Sequence, residues 1–156
     1  MVILVGSVLV LSNCKDPKDA ADPMKVQLGK LSKTWTMISP NGAIYDGTDD
    51  RSTPEFTGFT LTLSGTFSSS SPEGPYSYSV GGSRQEPSPW PTSGEWSFNS
   101  VDKGSDSGTI VRSDDVPMTY NINSSGQLVI TFTCPEGVCN YLGAKTVEGT
   151  WQFTFQ

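Results

Sequence analysis

Between Lys145 and Phe155 the chain alternates without a break. Val147, Gly149, Trp151, Phe153 and Phe155 form one face; Thr146, Glu148, Thr150, Gln152 and Thr154 form the other. Successive side chains of an extended chain point to opposite sides, so this pattern specifies a half-buried β-strand. Outer-membrane barrels alternate in the same way. Their spanning strands need about 9–11 residues, and most other alternating segments here are shorter. The apolar faces therefore belong to a packed core.

The same period runs through the chain from Lys33 onward. Eight strands are expected. Lys33 to Ile38 presents Trp35 and Met37; Phe56 to Leu63 presents Phe59, Leu61 and Leu63; Tyr76 to Val80 alternates Tyr with Ser. Gly94 to Asn99 presents Trp96 and Phe98, Gly108 to Arg112 centres on Ile110, and Met118 to Ile122 points Met118, Tyr120 and Ile122 inward. Gln127 to Cys134 and Lys145 to Phe155 complete the set. Asn123-Ser124-Ser125-Gly126 supplies a tight hairpin between the sixth and seventh. Asp22-Pro23 starts a short helix over 23–30, with Asp as N-cap and Pro in the first turn. The fold expected is all-β: an eight-stranded antiparallel up-and-down meander barrel with a short N-terminal helix. Three longer connections remain, Pro40 to Glu55, Phe67 to Pro75 and Gly81 to Ser93.

Those strands resemble a known architecture. Leu28-Gly29-Lys30 through Thr34-Trp35 is similar to the lipocalin opening, in which a Gly precedes a Trp at the barrel base. Gly94-Glu95-Trp96-Ser97-Phe98 and Glu148-Gly149-Thr150-Trp151-Gln152-Phe153 resemble elements of lipocalin-like β-barrel lipoproteins of the Bacteroidetes. The resemblance covers residues 22–156 and implies a lipocalin-like barrel. It also implies an Arg packed against the first-strand Trp. Arg112 is the nearest candidate, although it comes earlier than the resemblance places it.

The N-terminus agrees with export. Met1 to Asn13 is uncharged and rich in Val, Leu and Ile, and Cys14 follows directly. A run of that length has the size of a signal-peptide core and is too short to span a bilayer. Cys14 behind Leu11-Ser12-Asn13 looks like a bacterial lipobox, which implies acylation of Cys14. No basic residue precedes the run, which points to a start upstream of Met1. Cys14-Lys15-Asp16-Pro17-Lys18-Asp19 also resembles the tags of surface-exposed lipoproteins. The organisation expected is a signal peptide over 1–13, a lipidated tether over 14–21 and a barrel over 22–156. The location expected is the bacterial outer membrane, on its periplasmic or exposed side.

Composition narrows the function. The chain has no His, which excludes Ser-His-Asp and Cys-His catalysis and any His-based zinc site. No cofactor or metal is expected, and the reading is non-enzymatic. Residues 34–156 carry a net charge of −8, which argues against nucleic acid as a partner. Cys134 and Cys139, five apart, read as a disulfide in an exported protein, with two free thiols as the alternative.

Six aromatics are candidate ligand residues. Trp35, Tyr78, Trp96, Tyr120 and Trp151 occupy inward positions, where they either line a pocket for a small apolar or amphipathic ligand or fill the interior. Trp90 sits in the loop Glu86-Pro87-Ser88-Pro89-Trp90-Pro91, as an exposed glycan-stacking or protein-contact residue or as a plug over the barrel mouth. Asp46-Gly47-Thr48-Asp49-Asp50 gathers carboxylates without EF-hand spacing and reads as a solvated loop. The partners expected are the membrane through the anchor, a small hydrophobic ligand or glycan, and a protein of the envelope. The alternative to ligand carriage is a structural or accessory lipoprotein with a filled barrel.

Overall fold

A computed structural model describes residues 21–135, Cys139 and 147–156. Cys14, the apolar run before it and the tether up to Ala20 lie outside the described residues, as does the start of the expected last strand.

The chain enters through one helix, α1 (Pro23–Leu31). The Asp22 carboxylate accepts from the backbone N–H of Met24 at 2.8 Å and of Lys25 at 3.4 Å, which caps the first turn. The helix runs one residue past the expected 23–30 and buries Gln27, Leu28 and Leu31.

Among the described residues ten strands follow in one antiparallel sheet curled into a half-barrel. They are β1 (Thr34–Thr36), β2 (Ala43–Tyr45), β3 (Asp49–Asp50), β4 (Thr60–Ser64), β5 (Tyr76–Gly81), β6 (Ser93–Val101), β7 (Ser107–Arg112), β8 (Pro117–Ile122), β9 (Leu128–Cys134) and β10 (Gly149–Phe155). Their order is β1-β4-β5-β6-β7-β8-β9-β10-β2-β3, so β4 to β10 form a meander in which each strand pairs with the next. The expected count of eight is corrected to ten. Both additional strands come from Pro40 to Glu55, which reads as a loop. Ala43-Ile44-Tyr45 is too short to display a period; it is extended because it pairs with the outer edge of β10, Gln152 opposite Ile44.

That outer edge has two occupants. Residues 151–153 pair with β2, and the end of β10 meets the segment after β1 through the Met37–Phe155 bridge. Thr36 and Gln156 exchange backbone hydrogen bonds at 3.0 and 2.8 Å, and the Ile38 N–H donates to the Thr154 carbonyl at 3.0 Å. Since Thr34–Thr36 also pairs with β4, the two flanks of the curled sheet meet there.

The bounds of all eight expected strands shift by a residue or more, and the shifts at β4 and β6 have a structural cause. Phe56 and Phe59 are fully buried, yet they precede β4 in a turn closed by the Phe59 N–H on the Phe56 carbonyl. β6 runs on to Val101 past a register shift between Phe98 and Ser100, a β-bulge that bends the strand. At the start of β10, Gly149 has φ +115°, and a Cβ there would come within 2.7 Å of the Tyr45 ring. Only Gly fits that junction.

The concave side of the sheet is aromatic. Phe153 lies at its centre, with ring centroids of Phe56, Phe59, Trp90, Phe132, Trp151 and Phe155 between 5.2 and 6.2 Å away. Full burial of one such side chain stabilises the fold by about 1.5–3 kcal/mol. The outer side carries hydroxyl pairs in register: Thr34 with Thr62 at 2.9 Å, Ser64 with Ser77 at 3.0 Å, Thr133 with Thr150 at 3.1 Å. Cys134 and Cys139 lie at disulfide distance, their sulfurs 2.21 Å apart. Among the described residues no helix is long and apolar enough to cross a membrane.

Candidate functional site

The most unusual group inside the sheet is a cation. Arg112 ends β7, and its side chain has no exposed surface. It shares the inward parity of Gly108 and Ile110, so the strand itself aims it into the core. A buried charge is costly unless paired and hydrogen-bonded. Asp114, in the turn just beyond the strand, takes the guanidinium by two bonds, Nε to Oδ1 at 2.9 Å and Nη2 to Oδ2 at 2.6 Å. Nη1 donates to the Pro89 carbonyl at 2.7 Å. The guanidinium carbon stands 5.4 Å from the Trp90 ring and 5.3 Å from Phe132, both within cation–π range.

Trp90 meets it from the opposite direction. The residue is 1 % exposed and packs against Tyr78, Phe132, Phe153 and Phe59. Of the two positions that the loop sequence allows, exposed or folded inward, the structure has the indole folded inward. The physical reason is that the indole covers four aromatic rings and the guanidinium at once. Arg84 Nη1 donates to the Trp90 carbonyl at 2.9 Å, and the Trp90 N–H donates to Ser88 Oγ at 3.1 Å. Among the described residues the indole Nε1 has no acceptor. A buried donor left unpaired costs about 1–3 kcal/mol.

The other candidate aromatics are distributed around the core. Trp35 Nε1 donates to the Leu31 carbonyl at 2.9 Å, Trp96 Nε1 to the Ser77 carbonyl at 3.1 Å, and Trp151 Nε1 to the Val147 carbonyl at 3.1 Å. The Tyr120 hydroxyl donates to Gln27 Oε1 at 3.3 Å, and Gln27 Nε2 donates to the Ser105 carbonyl at 2.9 Å, which ties α1 to the β6–β7 turn. Tyr78 meets Trp90 ring to ring at 6.0 Å, and burial pushes its phenol up to about 12. All six side chains are buried. Arg112 lies on Trp90, while the ring of Trp35 carries Lys33 Nζ at 3.8 Å from its centroid.

Two surface features complete the candidates. A groove of about 480 Å³ opens between α1 and the β6–β7 turn, with Val26, Lys30, Val101 and Lys103 on its walls. Lys30 is paired there with Asp106. In the acidic loop each carboxylate has a donor of its own. Asp46 accepts from the Thr150 N–H, Asp49 from Arg51, and Asp50 from the backbone N–H of Asn41 and from both Ser52 donors. These bonds hold the Asp50 carboxyl below its ordinary value, the Ser52 hydroxyl contributing most. Among the described residues no group of three or more His, Cys, Asp or Glu could hold a metal ion.

Comparison with protein-family models, with curated proteins and with solved structures finds no match to this chain.

Proposed function

We propose that this chain is a non-enzymatic lipoprotein of the bacterial cell envelope, attached by acyl chains on Cys14, whose lipocalin-like barrel serves as a filled accessory scaffold. The observation that carries this reading is the state of the interior. Trp35, Trp90, Trp96, Arg112, Tyr120, Phe56, Phe59, Phe153 and Phe155 are each under 2 % exposed. A barrel that carries a ligand constitutively keeps room for it, whereas one filled by its own side chains works through its outer surface. Carriage of a small ligand by the six aromatics is the second reading, and it needs one of those rings to move. Glycan stacking on Trp90 needs the indole outside.

The anchor has a sufficient driving force. Each buried methylene of an acyl chain contributes about 0.8 kcal/mol, so two or more chains hold the domain at a bilayer. Cys14→Ser is expected to move the protein from the membrane to the soluble fraction; unchanged fractionation would remove the anchor from the proposal. Native mass spectrometry of the purified domain is expected to return the mass of the chain alone. A stoichiometric small molecule retained through purification would replace the scaffold with a constitutive carrier.

A further inference from the structure

The chain has four tryptophans, and three of them donate their indole N–H to a backbone carbonyl. Trp90 alone of the four has a buried indole N–H without an acceptor among the described residues. It is also the only one of the four delivered by a segment outside the strands, since Trp35, Trp96 and Trp151 lie in β1, β6 and β10. Its loop leaves β5 and returns to β6 above a neck closed by the Val80 N–H on the Thr92 carbonyl. Pro87, Pro89 and Pro91 have no backbone donor to contribute. Arg84 on the Trp90 carbonyl closes the loop on itself; Arg112 on the Pro89 carbonyl ties it to the sheet, and near its start the Ser83 N–H donates to the Thr57 carbonyl.

We propose that the seat of Trp90 is a ligand site which the chain fills with its own loop, and that a flat aromatic monocarboxylic acid displaces that loop. The argument compares what each occupant offers the seat. Phe59, Tyr78, Phe132 and Phe153 surround the indole and offer a flat aromatic body the same contacts. Arg112 stays in place without the loop, because Asp114, two residues away, grips it from its own turn. Nη1 then exchanges the neutral Pro89 carbonyl for a carboxylate, which adds the attraction of opposite charges to a bond that the guanidinium already strengthens. The displaced indole recovers water for its N–H. Exposure of its apolar surface opposes the exchange and makes displacement dependent on ligand concentration. A ligand of this class would also rearrange the surface around residues 84–92, which gives the scaffold a ligand-dependent face.

The probe is indole-3-propionate, with uncharged indole-3-propionamide as its control, added to the Cys14→Ser chain. In the wild-type loop the acid is expected to bind saturably and to speed amide hydrogen exchange across residues 84–92 at least tenfold, leaving β8 and β9 unchanged. In Trp90→Gly, where the seat is vacated, the acid is expected to bind at least tenfold more tightly than in the wild type. It should also bind at least tenfold more tightly than the amide. Equal binding of acid and amide would overturn the role of Arg112. If the acid does not bind, or binds the wild-type chain while exchange in 84–92 stays the same or slows, Trp90 is a fixed part of the core. Should Trp90→Gly fail to fold, the wild-type exchange measurement decides alone. A failure here leaves the scaffold reading intact, because that reading is tested on protein as purified and by fractionation.

Discussion

β10 and the Trp90 loop supply the same core by opposite routes. β10 delivers Trp151, Phe153 and Phe155 through strand parity, and its backbone is paired along the whole strand with β9. The loop delivers one indole from a segment with no ladder, closed on itself by Arg84 and clasped from β7 by Arg112. Trp90 and Phe153 even touch, at 5.7 Å between centroids. Burial alone therefore does not show how firmly a core side chain is held. The backbone behind it and the pairing of its polar atom decide that.

The largest test of this contrast is truncation. Phe153→Ala is expected to cost about 3–5 kcal/mol in denaturant unfolding, as for other buried aromatics. Trp90→Ala should cost roughly half as much although the ring is larger, because it also removes an unpaired N–H worth about 1–3 kcal/mol. Equal or greater loss at Trp90 would break the comparison.

Arg112→Met probes the clasp. It leaves the Pro89 carbonyl without its donor and Asp114 without its cation. Breaking a fully buried pair costs about 3–5 kcal/mol, and the partial exposure of Asp114 reduces this to roughly 2 kcal/mol. Hydrogen exchange is expected to rise more in residues 84–92 than in β10. A uniform rise would show that loop and strand open together.

Exchanging indole for phenyl isolates the hydrogen bond. Trp35→Phe removes a bond to the Leu31 carbonyl and should cost about 1 kcal/mol or more. Trp90→Phe removes a donor that bonds to nothing, and should change stability by less than Trp35→Phe. A reversed order would mean that the N–H of Trp90 is satisfied in solution.

The smallest effect concerns the outer edge of β10. Ser52 Oγ accepts from the backbone N–H of Gly42 and Ala43, which holds β2 in place, and donates to Asp50. The folded carboxyl lies below its ordinary 3.8, so its stabilisation is present above that pH and is lost as pH falls through the folded value. Asp50 is exposed, so the contribution is small. Unfolding midpoints measured from pH 5 to pH 2 should fall less steeply in Asp50→Asn than in the wild type; identical slopes would remove Asp50 from the account.

Strand parity made most of the sheet legible. Leu61 and Leu63, Tyr76 and Tyr78, Trp96 and Phe98, and Met118 and Tyr120 all point inward, as alternation predicts. The inward aim of Arg112 was available from the same parity, two residues past Ile110. The resemblance set it against Trp35 rather than Trp90, and nothing in β7 reveals that Asp114 bends back to pair with it. Ala43–Tyr45 carries too few residues for a period, and its strand exists only because β10 offers an edge. For Trp90, the prolines around it set a stiff loop but no direction.

The sequence by itself determined an antiparallel β protein with one aromatic face and one hydroxyl face, because period two is a local property of extended backbone. It also determined the capped helix, because Asp22 and Pro23 act within one turn. Only the tertiary structure decided that the sheet takes ten strands among the described residues, that an arginine lies inside it, and that a loop tryptophan packs against Phe153 at its centre. Those outcomes depend on contacts between residues far apart in the chain, where a carbonyl, a carboxylate or a free strand edge must be in place before a side chain's position is settled.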